Sequence, residues 1–279
     1  MNMTARLVVT VLTLASPARA FESLEALNRK FSAAASRRWD SGAAARLAAG
    51  ASLSGKSIEE LNLAFEEASP RRFSAAAAAT LAAAAAVSRK PISELNGLFD
   101  RAACRLWDSQ GAATLAAAAA LSGKTIDEVN ALFENAGPRR WDSRAAAILA
   151  SAAAVSGRPI EEANAAFQGA GPRNWDAAAA AILAASSLLS GKTISEVNTA
   201  FDSAAPRKWD AKAAAALAAA ASVSGEPVRA LNASFEPAEP RRWDAGAAAT
   251  LASAAALGGR AGQGASGVLL AAPSVDGEY

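Results

Sequence analysis

Hydrophobic and polar positions follow a helical pattern along most of the chain. In one segment Ile126, Val129, Asn130 and Phe133 are spaced i, i+3, i+4 and i+7, which places them on one face of a helix. An Ala-rich stretch at 109–121 precedes this segment, and alanine has the highest helix propensity of all residues. The same two segments recur along the chain, and no stretch carries a strand signal. The pattern predicts paired helices.

Three columns of residues recur at a spacing of 34 residues without an insertion. The first column is aromatic and contains Trp39, Phe73, Trp107, Trp141, Trp175, Trp209 and Trp243. The second contains Asn28, Asn62, Asn96, Asn130, Asn164, Asn198 and Asn232. The third contains Phe31, Phe65, Phe99, Phe133, Phe167, Phe201 and Phe235. With the first column as position 1, a half unit (21–38) is followed by six full units (39–242) and a last helix (243–257).

Each unit carries start and stop signals for two helices. Asp at position 2, as in Asp108, suits the N-cap of the first helix, and Ser122-Gly123 suits its end. The second helix opens on a capping box such as Thr125 and Glu128, and a Pro near position 32 closes the unit. Because one pair of Ala-rich helices buries little surface, neighbouring pairs must stack. We predict an all-α fold, a right-handed α-solenoid of 34-residue helical hairpins over residues 21–257.

The two ends of the chain differ from this array. Residues 1–20 have the layout of a cleavable targeting peptide, with Arg6 before the apolar run 7–15 and an Ala-x-Ala pattern before Phe21. A secretory signal and an organelle transit peptide both fit, and the alternative is a degenerate first helix of the array. The apolar run is too short to span a bilayer, so we predict no membrane span. The tail 258–279 is rich in Gly, Ser and Ala and is expected to be disordered.

Composition excludes several kinds of active site. The chain has no His and one Cys, which removes His-based acid–base chemistry, Cys/His zinc sites and an intrachain disulfide. We therefore expect no enzymatic activity, no cofactor, no metal and no small-molecule substrate. The net charge is +2, from 28 basic and 26 acidic residues. Cleavage after residue 20 would remove two arginines and leave 26 of each, a net charge of zero.

Two columns each allow a structural and a functional interpretation. The aromatic at position 1 is expected to fill the core between helix pairs, and the alternative is an exposed stacking platform for nucleic-acid bases. The Asn column lies on the apolar face of the second helix, so we expect its amides to form a ladder between neighbouring units. The alternative is an Asn that reads a base edge. Asn232 also begins an Asn-Ala-Ser glycosylation sequon, and its place in the column argues against modification.

A basic column at positions 33–34 is the candidate RNA-binding site, because stacking would align it into a stripe for phosphates. Its members are Arg37, Arg38, Arg71, Arg72, Arg105, Arg139, Arg140, Arg173, Arg207, Lys208, Arg241 and Arg242. The alternative is that acidic residues in the same loops pair with these side chains. A second basic column, at position 18, belongs to the opposite end of the hairpins. It contains Lys56, Lys90, Lys124, Arg158 and Lys192.

The first-helix segment 107–123, Trp-Asp-Ser-Gln followed by Ala-rich residues and Leu-Ser-Gly, resembles the octotricopeptide-like repeats of algal and alveolate organelle proteins. The resemblance implies paired helices that bind RNA in plastids or mitochondria. The Trp-x-x-Leu-Gly-x-x-Tyr pattern of tetratricopeptide repeats, which share the 34-residue period, is absent. The junction at Phe21 also looks like a plastid import junction.

Two functions remain open from the sequence. The first is an organellar protein, with the plastid favoured over the mitochondrion, that binds single-stranded RNA through the Arg stripe. The second is a scaffold that binds proteins on the concave surface of the solenoid. A secreted protein is the alternative for localisation.

Overall fold

A computed structural model describes residues 22–258, apart from the side chains of Arg207 and Lys208. Within this range the chain forms fourteen α-helices and no strand, which confirms the all-α prediction. None of these helices is both long and apolar enough to cross a membrane. The expected targeting peptide (1–20) lies outside the described residues, and so does the tail beyond residue 258.

The helices fall into two alternating sets. The inner helices each have 14 residues and are α2 (Ser41–Ser54), α4 (Ala75–Ser88), α6 (Ser109–Ser122), α8 (Ser143–Ser156), α10 (Ala177–Ser190), α12 (Ala211–Ser224) and α14 (Ala245–Gly258). The outer helices are α1 (Leu24–Ala33), α3 (Ile58–Glu67), α5 (Ile92–Asp100), α7 (Ile126–Glu134), α9 (Ile160–Gly169), α11 (Ile194–Asp202) and α13 (Val228–Phe235). Short 3₁₀ turns precede three inner helices, at Ser69–Arg72, Ala205–Lys208 and Glu239–Arg242.

The helix boundaries are those that the capping residues predict. The carboxylate of Asp40 accepts a hydrogen bond from the Ala43 N–H at 2.7 Å and caps α2. Complete capping boxes open three outer helices, at Ser57, Thr125 and Thr193. Glycines end the inner helices in the left-handed conformation, with φ between +69° and +74°. At the end of α4 this place is taken by Arg89, with φ +60°.

The inner helices form a closed ring. Each packs against the next along the chain, as a solenoid predicts, and α14 packs against α2 to complete the circle. Neighbouring N-termini meet: the Ser143 hydroxyl donates to the Asp108 carboxylate at 2.6 Å, and Ser41 donates to Asp244 across the closure. The inner helices are therefore parallel. The repeat pattern predicts stacking but not closure, and the handedness of the stacking stays a prediction.

Alanine allows the inner helices to pack closely, and the ring buries their middle residues on every side. At one contact even a methyl group would not fit, because a Cβ on Gly50 would lie 2.7 Å from the Ala83 Cβ. The large side chains lie between the layers. Leu47 of α2 and Phe65 of α3 are fully buried, and equivalent Leu and Phe residues occupy the same places in the other units. The outer helices pack mainly on the inner ring.

The Asn column forms the ladder that the sequence predicts. The Asn62 amide oxygen accepts from the Ala35 N–H at 2.9 Å, and its nitrogen donates to the Ala33 carbonyl at 3.1 Å. Each later Asn makes the same pair of bonds to the unit before it, and Asn232 belongs to this set. Asn28 makes the pair across the closure, accepting from Glu239 N–H at 3.1 Å and donating to Pro237 at 3.3 Å.

The contact between the two ends of the chain, which we call the seam, also has polar contacts of its own. Ser32 stands in α1 where five of the other six units carry an acid such as Glu66. Glu239, near the C-terminal end of the array, takes the place of this acid. Its carboxylate accepts hydrogen bonds from the Ser32 hydroxyl at 2.6 Å and from Arg37 Nη2 at 2.7 Å. Burial opposes ionisation of Glu239, but these two hydrogen bonds and the Arg37 charge hold its pKa below the ordinary value. The seam therefore joins residues that only these two ends possess.

The prediction that the aromatic at position 1 fills the core is wrong. The six Trp side chains and Phe73 are 59–67% exposed. Phe of the third column fills that place, and the Trp ring lies on it from outside. Trp141 packs against the ring of Phe167 with centroids 6.1 Å apart and the planes tilted by 44°. The buried Phe already occupies the space inside, and a turn fixes the Trp backbone in the loop, with the Trp141 N–H bonded to the Pro138 carbonyl at 3.0 Å.

Alanine substitutions distinguish these two aromatic columns. We expect Phe167→Ala to lower the free energy of unfolding by about 3–5 kcal/mol, because it empties a fully enclosed site. Trp141→Ala should cost only about 1 kcal/mol, the value of an aromatic contact at the surface. Chemical denaturation followed by circular dichroism measures both. Equal losses would contradict the exposed position of the Trp column.

The seam is tested by Glu239→Ala, with Glu134→Ala as the matched control. Glu134 pairs with Arg139 at 2.5 Å inside one unit, so its loss leaves the ends joined. We expect Glu239→Ala to cost about 1 kcal/mol and to accelerate amide exchange in α1 and α14, because it removes hydrogen bonds between the two ends. The control should not accelerate exchange there. Equal exchange in the two variants would mean that Glu239 does not hold the seam.

The same measurement has a defined pH dependence in the unsubstituted protein. Because the pKa of Glu239 is depressed in the folded state, its contribution is complete above its unfolded pKa of about 4.3. The contribution is lost as the pH falls through the lower, folded value. Exchange in α1 relative to α7 should rise in that acidic range, and the rise should be absent in Glu239→Ala.

Candidate nucleic-acid interface

Seven loops, each joining an outer helix to the following inner helix, lie at one end of the ring. We call them rim loops; the first joins α1 to α2 and the seventh joins α13 to α14. Each carries one member of the aromatic column immediately before the N-cap of the inner helix. The inner helices are parallel, so all seven exposed aromatic side chains lie at the same end of the ring. We call this set the aromatic rim.

Four rim Trp residues are held on one side by the outer helix that follows in the same unit. Ring contacts to the next Phe of the third column have centroid separations of 6.0–6.4 Å for four Trp residues, Trp39, Trp141, Trp175 and Trp209. Because the partner Phe is buried, the Trp ring has a fixed support. The remaining surface of each Trp faces solvent, as the exposed fraction of about 60% requires. Such supported aromatic rings are suited to stacking with a planar ligand.

The structure divides the predicted Arg column into two groups. The Arg at position 33 is held by its own unit: Arg71 lies over the Phe65 ring at 5.9 Å and pairs with Glu66 at 2.5 Å. The same cation–π contact and an ion pair occupy Arg37, Arg105, Arg139 and Arg241. For Arg71, Arg105, Arg139 and Arg241 the pairing alternative from the sequence describes the structure, whereas Arg37 pairs with Glu239 across the seam.

The Arg at position 34 lies on the solvent side. Arg38, Arg72, Arg140 and Arg242 are exposed, and within residues 22–258 their side chains form no ion pair or hydrogen bond. We call these four the unpaired arginines. Each directly precedes a rim aromatic, which places an exposed cation beside an exposed aromatic ring.

The remaining rim loops depart from this arrangement. They differ either in the residue at position 34 or in the acid that pairs with the Arg at position 33. Leu106 stands at position 34 of the third rim loop and is 85% exposed, and Asn174 stands there in the fifth. Arg173 is half-buried, and in its unit Gln168 replaces the acid, so it has no ion pair among the described residues. The side chains of Arg207 and Lys208 lie outside the description.

The backbone adds charge at the rim. Seven parallel helices direct their N-termini to this end, each with the equivalent of about +0.5 charge. Six Asp caps and Ser74 accept the free N–H groups and balance much of that field. Crowding among the caps is visible at Asp210, whose pKa is raised by burial first and by the neighbouring Asp244 and Asp176. The unpaired arginines therefore supply the outward positive charge.

The second basic column lies at the C-terminal end of the inner helices, as predicted, where a cation balances the helix dipole. Two of its members form i,i+4 ion pairs, Lys90 with Glu94 at 2.7 Å and Arg158 with Glu162 at 3.1 Å. No rim aromatic accompanies these cations. This end of the ring thus serves as a natural comparison for the rim.

The single cysteine is not a reactive group. Cys104 takes the place of the Pro at position 32 and is fully buried. Burial, followed by the charge of Asp108, raises the pKa of its thiol to about 12. A thiol with this pKa is protonated at physiological pH and is a poor nucleophile.

Comparisons with known proteins do not assign the chain to a family. No protein-family model matches the chain, and no curated protein is significantly similar to it. The resemblance to octotricopeptide-like repeats therefore stays a prediction.

The exposed position of the aromatic column is the alternative that the sequence left open, and two signals favour it over a place in the core. The apolar face of the second helix is already complete with Ile126, Val129 and Phe133, so the core has no vacancy for a further aromatic ring. In addition, Trp141 stands between Arg140 and the N-cap Asp142, in a loop. An aromatic between two charged residues in a short loop is placed at the surface.

Proposed function

We propose that this protein is a non-enzymatic organellar protein that binds single-stranded RNA on the rim of a right-handed ring of 34-residue helical hairpins. The observation that carries the proposal is the repeated pairing of an exposed arginine with an exposed aromatic side chain, which at Trp39 and Trp141 is supported by a buried Phe ring. An unstructured RNA strand offers both complementary groups, phosphates for the arginines and base faces for the aromatic rings. The resemblance to octotricopeptide-like repeats adds support.

The expected free energies of stacking and of phosphate contact favour an RNA strand over a polyanion without bases. Stacking of one base on an aromatic side chain contributes about 1–3 kcal/mol and tolerates any base. Each phosphate contact adds a salt-dependent contribution, with about 0.7 counterion released on single strands. The arginines at position 33 take part indirectly, since their cation–π contacts hold the Phe rings that support the Trp side chains. A near-zero net charge is compatible with this site, because the unpaired cations are concentrated at one end of the ring.

A protein-binding scaffold is the second candidate, and one observation favours it. The second and third rim loops carry a run of exposed apolar side chains: Phe73, Leu106, which is 85% exposed, and Trp107. None of the unpaired arginines stands between Phe73 and Trp107. Apolar surface of this kind suits a protein partner better than an RNA strand.

Intrinsic fluorescence tests the RNA proposal directly. All six Trp residues of the chain belong to the aromatic rim, and the single Tyr is at position 279. Titration with a mixed-sequence single-stranded RNA should quench Trp emission as bases stack on the rim, and the apparent affinity should fall with rising salt. Binding weaker than about 10⁻⁵ M at every salt concentration, with no quenching, would contradict the proposal. A stable complex with a protein partner that covers Leu106 would then support the scaffold.

Charge substitutions provide the matched control. The quadruple variant Arg38→Gln, Arg72→Gln, Arg140→Gln and Arg242→Gln should reduce the salt slope of binding by about 3, the value for four lost phosphate contacts. The opposite-end variant Lys56→Gln, Lys90→Gln, Lys124→Gln and Lys192→Gln removes the same charge and should retain most of the affinity and quenching. Both variants should keep the parent's melting temperature within a few degrees, because exposed charges contribute little to stability.

A further inference from the structure

Closure of the ring brings together rim loops from the two ends of the chain. Asn28 is hydrogen-bonded to Pro237 and Glu239, and Ser41 to Asp244, so the seventh rim loop lies beside the first. The first lies beside the second in turn, because Trp39 packs on Phe65 at the end of α3. Three consecutive rim loops thus run across the seam. They are far apart in the sequence, at 236–244, 34–40 and 68–74.

These three loops hold the longest run of unpaired arginines that the described side chains form. Arg242, Arg38 and Arg72 occupy position 34 in consecutive loops, next to Trp243, Trp39 and Phe73. Elsewhere the run is interrupted. Leu106 and Asn174 replace the cation on either side of Arg140, which leaves Arg140 isolated.

The local acids do not cancel this charge. Glu236 pairs with Arg241 at 2.7 Å, Glu66 with Arg71 at 2.5 Å, and Glu239 with Arg37 at 2.7 Å. These ion pairs are neutral, so the three unpaired arginines remain as net charge.

The remaining acids have other surroundings. Asp244 caps α14 and accepts from Ser41, and Asp40 caps α2. Glu67 is exposed at the end of α3, without an ion pair among the described residues, and offsets one charge. The three arginines and these three acids balance in formal charge, but the three inner-helix N-termini add about +0.5 each, and Asp244 and Asp40 are engaged in capping them. The arc therefore keeps a positive charge on its solvent side, carried by the arginines.

We infer that these three rim loops form one arc, the seam arc, which is the primary docking site for single-stranded RNA. This inference rests on the proposed function and specifies where on the rim the strand binds. Phosphates contact Arg242, Arg38 and Arg72, and bases stack on the adjacent aromatic rings. With helix spacings of 8–10 Å, two steps along the rim cover about 16–20 Å, or about five or six nucleotides at a stacked spacing of 3.4 Å. The site exists only when the ring is closed.

Two double variants separate the seam arc from the rest of the rim. Arg38→Gln with Arg242→Gln removes two cations from the arc, and Arg140→Gln with Arg173→Gln removes two from loops on the opposite side of the ring. The probe is an oligouridylate of about eight nucleotides, short enough to occupy one arc. At about 0.1 M salt the Debye length is about 10 Å, so distant charges contribute little. We expect at least about a tenfold loss of affinity for the first variant and less than about threefold for the second.

Cross-linking locates the bound strand in the parent protein. With a photoreactive uridine in the same oligonucleotide, we expect cross-linked peptides to contain Trp39, Phe73 or Trp243 rather than Trp141 or Trp175. Binding should also slow amide exchange in α1 and α14, because a ligand that bridges the seam stabilises the closed ring.

The outcomes distinguish the inference from the function on which it rests. Equal losses in the two double variants, or cross-links spread evenly over the rim, would overturn the seam arc and leave RNA binding intact. Failure of the parent protein to bind longer RNA in the fluorescence titration would overturn both. Melting temperatures of the variants, compared with the parent, show whether a loss of binding reflects unfolding of the ring.

Discussion

Close packing of parallel Ala-rich helices is the constraint on which the rest of the structure depends. An alanine helix buries little surface against any single neighbour, so its stability requires neighbours on several sides. The ring provides them, with an inner helix on each flank and outer helices behind. An open array of the same units would leave one flank of α2 and one flank of α14 uncovered. Joining these two flanks covers both of them.

Near-identical units create a problem of register, because any unit could pair with any other. The seam addresses it with residues that only the two ends possess. Ser32 removes the acid that would otherwise hold Arg37 within its own unit, and Glu239 supplies one from the opposite end. An ion pair of moderate exposure adds little to stability and more to the choice of partner. The Asn hydrogen bonds, which every unit shares, stabilise the contacts between units, and the Glu239 cluster determines which units meet at the seam.

Parallel packing also separates the functions of the two ends of the ring. The N-termini of the inner helices, their Asp caps and the rim aromatics fall on one end, and the C-termini of the inner helices and the second basic column fall on the other. Within the rim, two adjacent arginines have different roles because one side chain reaches back over Phe and an acid, while the next points to solvent. A binding surface made of many copies of one loop gains affinity through repetition. The proposed RNA interface uses this property, and differences at Leu106 and Asn174 decide where it is continuous.

The sequence by itself determined the elements and their local chemistry. Caps such as Asp40 and Thr125, the glycine ends and the i, i+3, i+4 face containing Phe133 are short-range features, and each acts within one helix. The Asn ladder was also predictable, since a polar amide on an apolar face must find a partner.

Only the tertiary structure decided three matters: that the array closes, that Trp stands outside the core and that one arginine of each pair is neutralised. Closure depends on the sum of small rotations between units, which no local pattern encodes. The Trp and Arg positions depend on the buried Phe ring on which both side chains pack, as Trp39 and Arg71 do on Phe65, and this is a property of packing between helices.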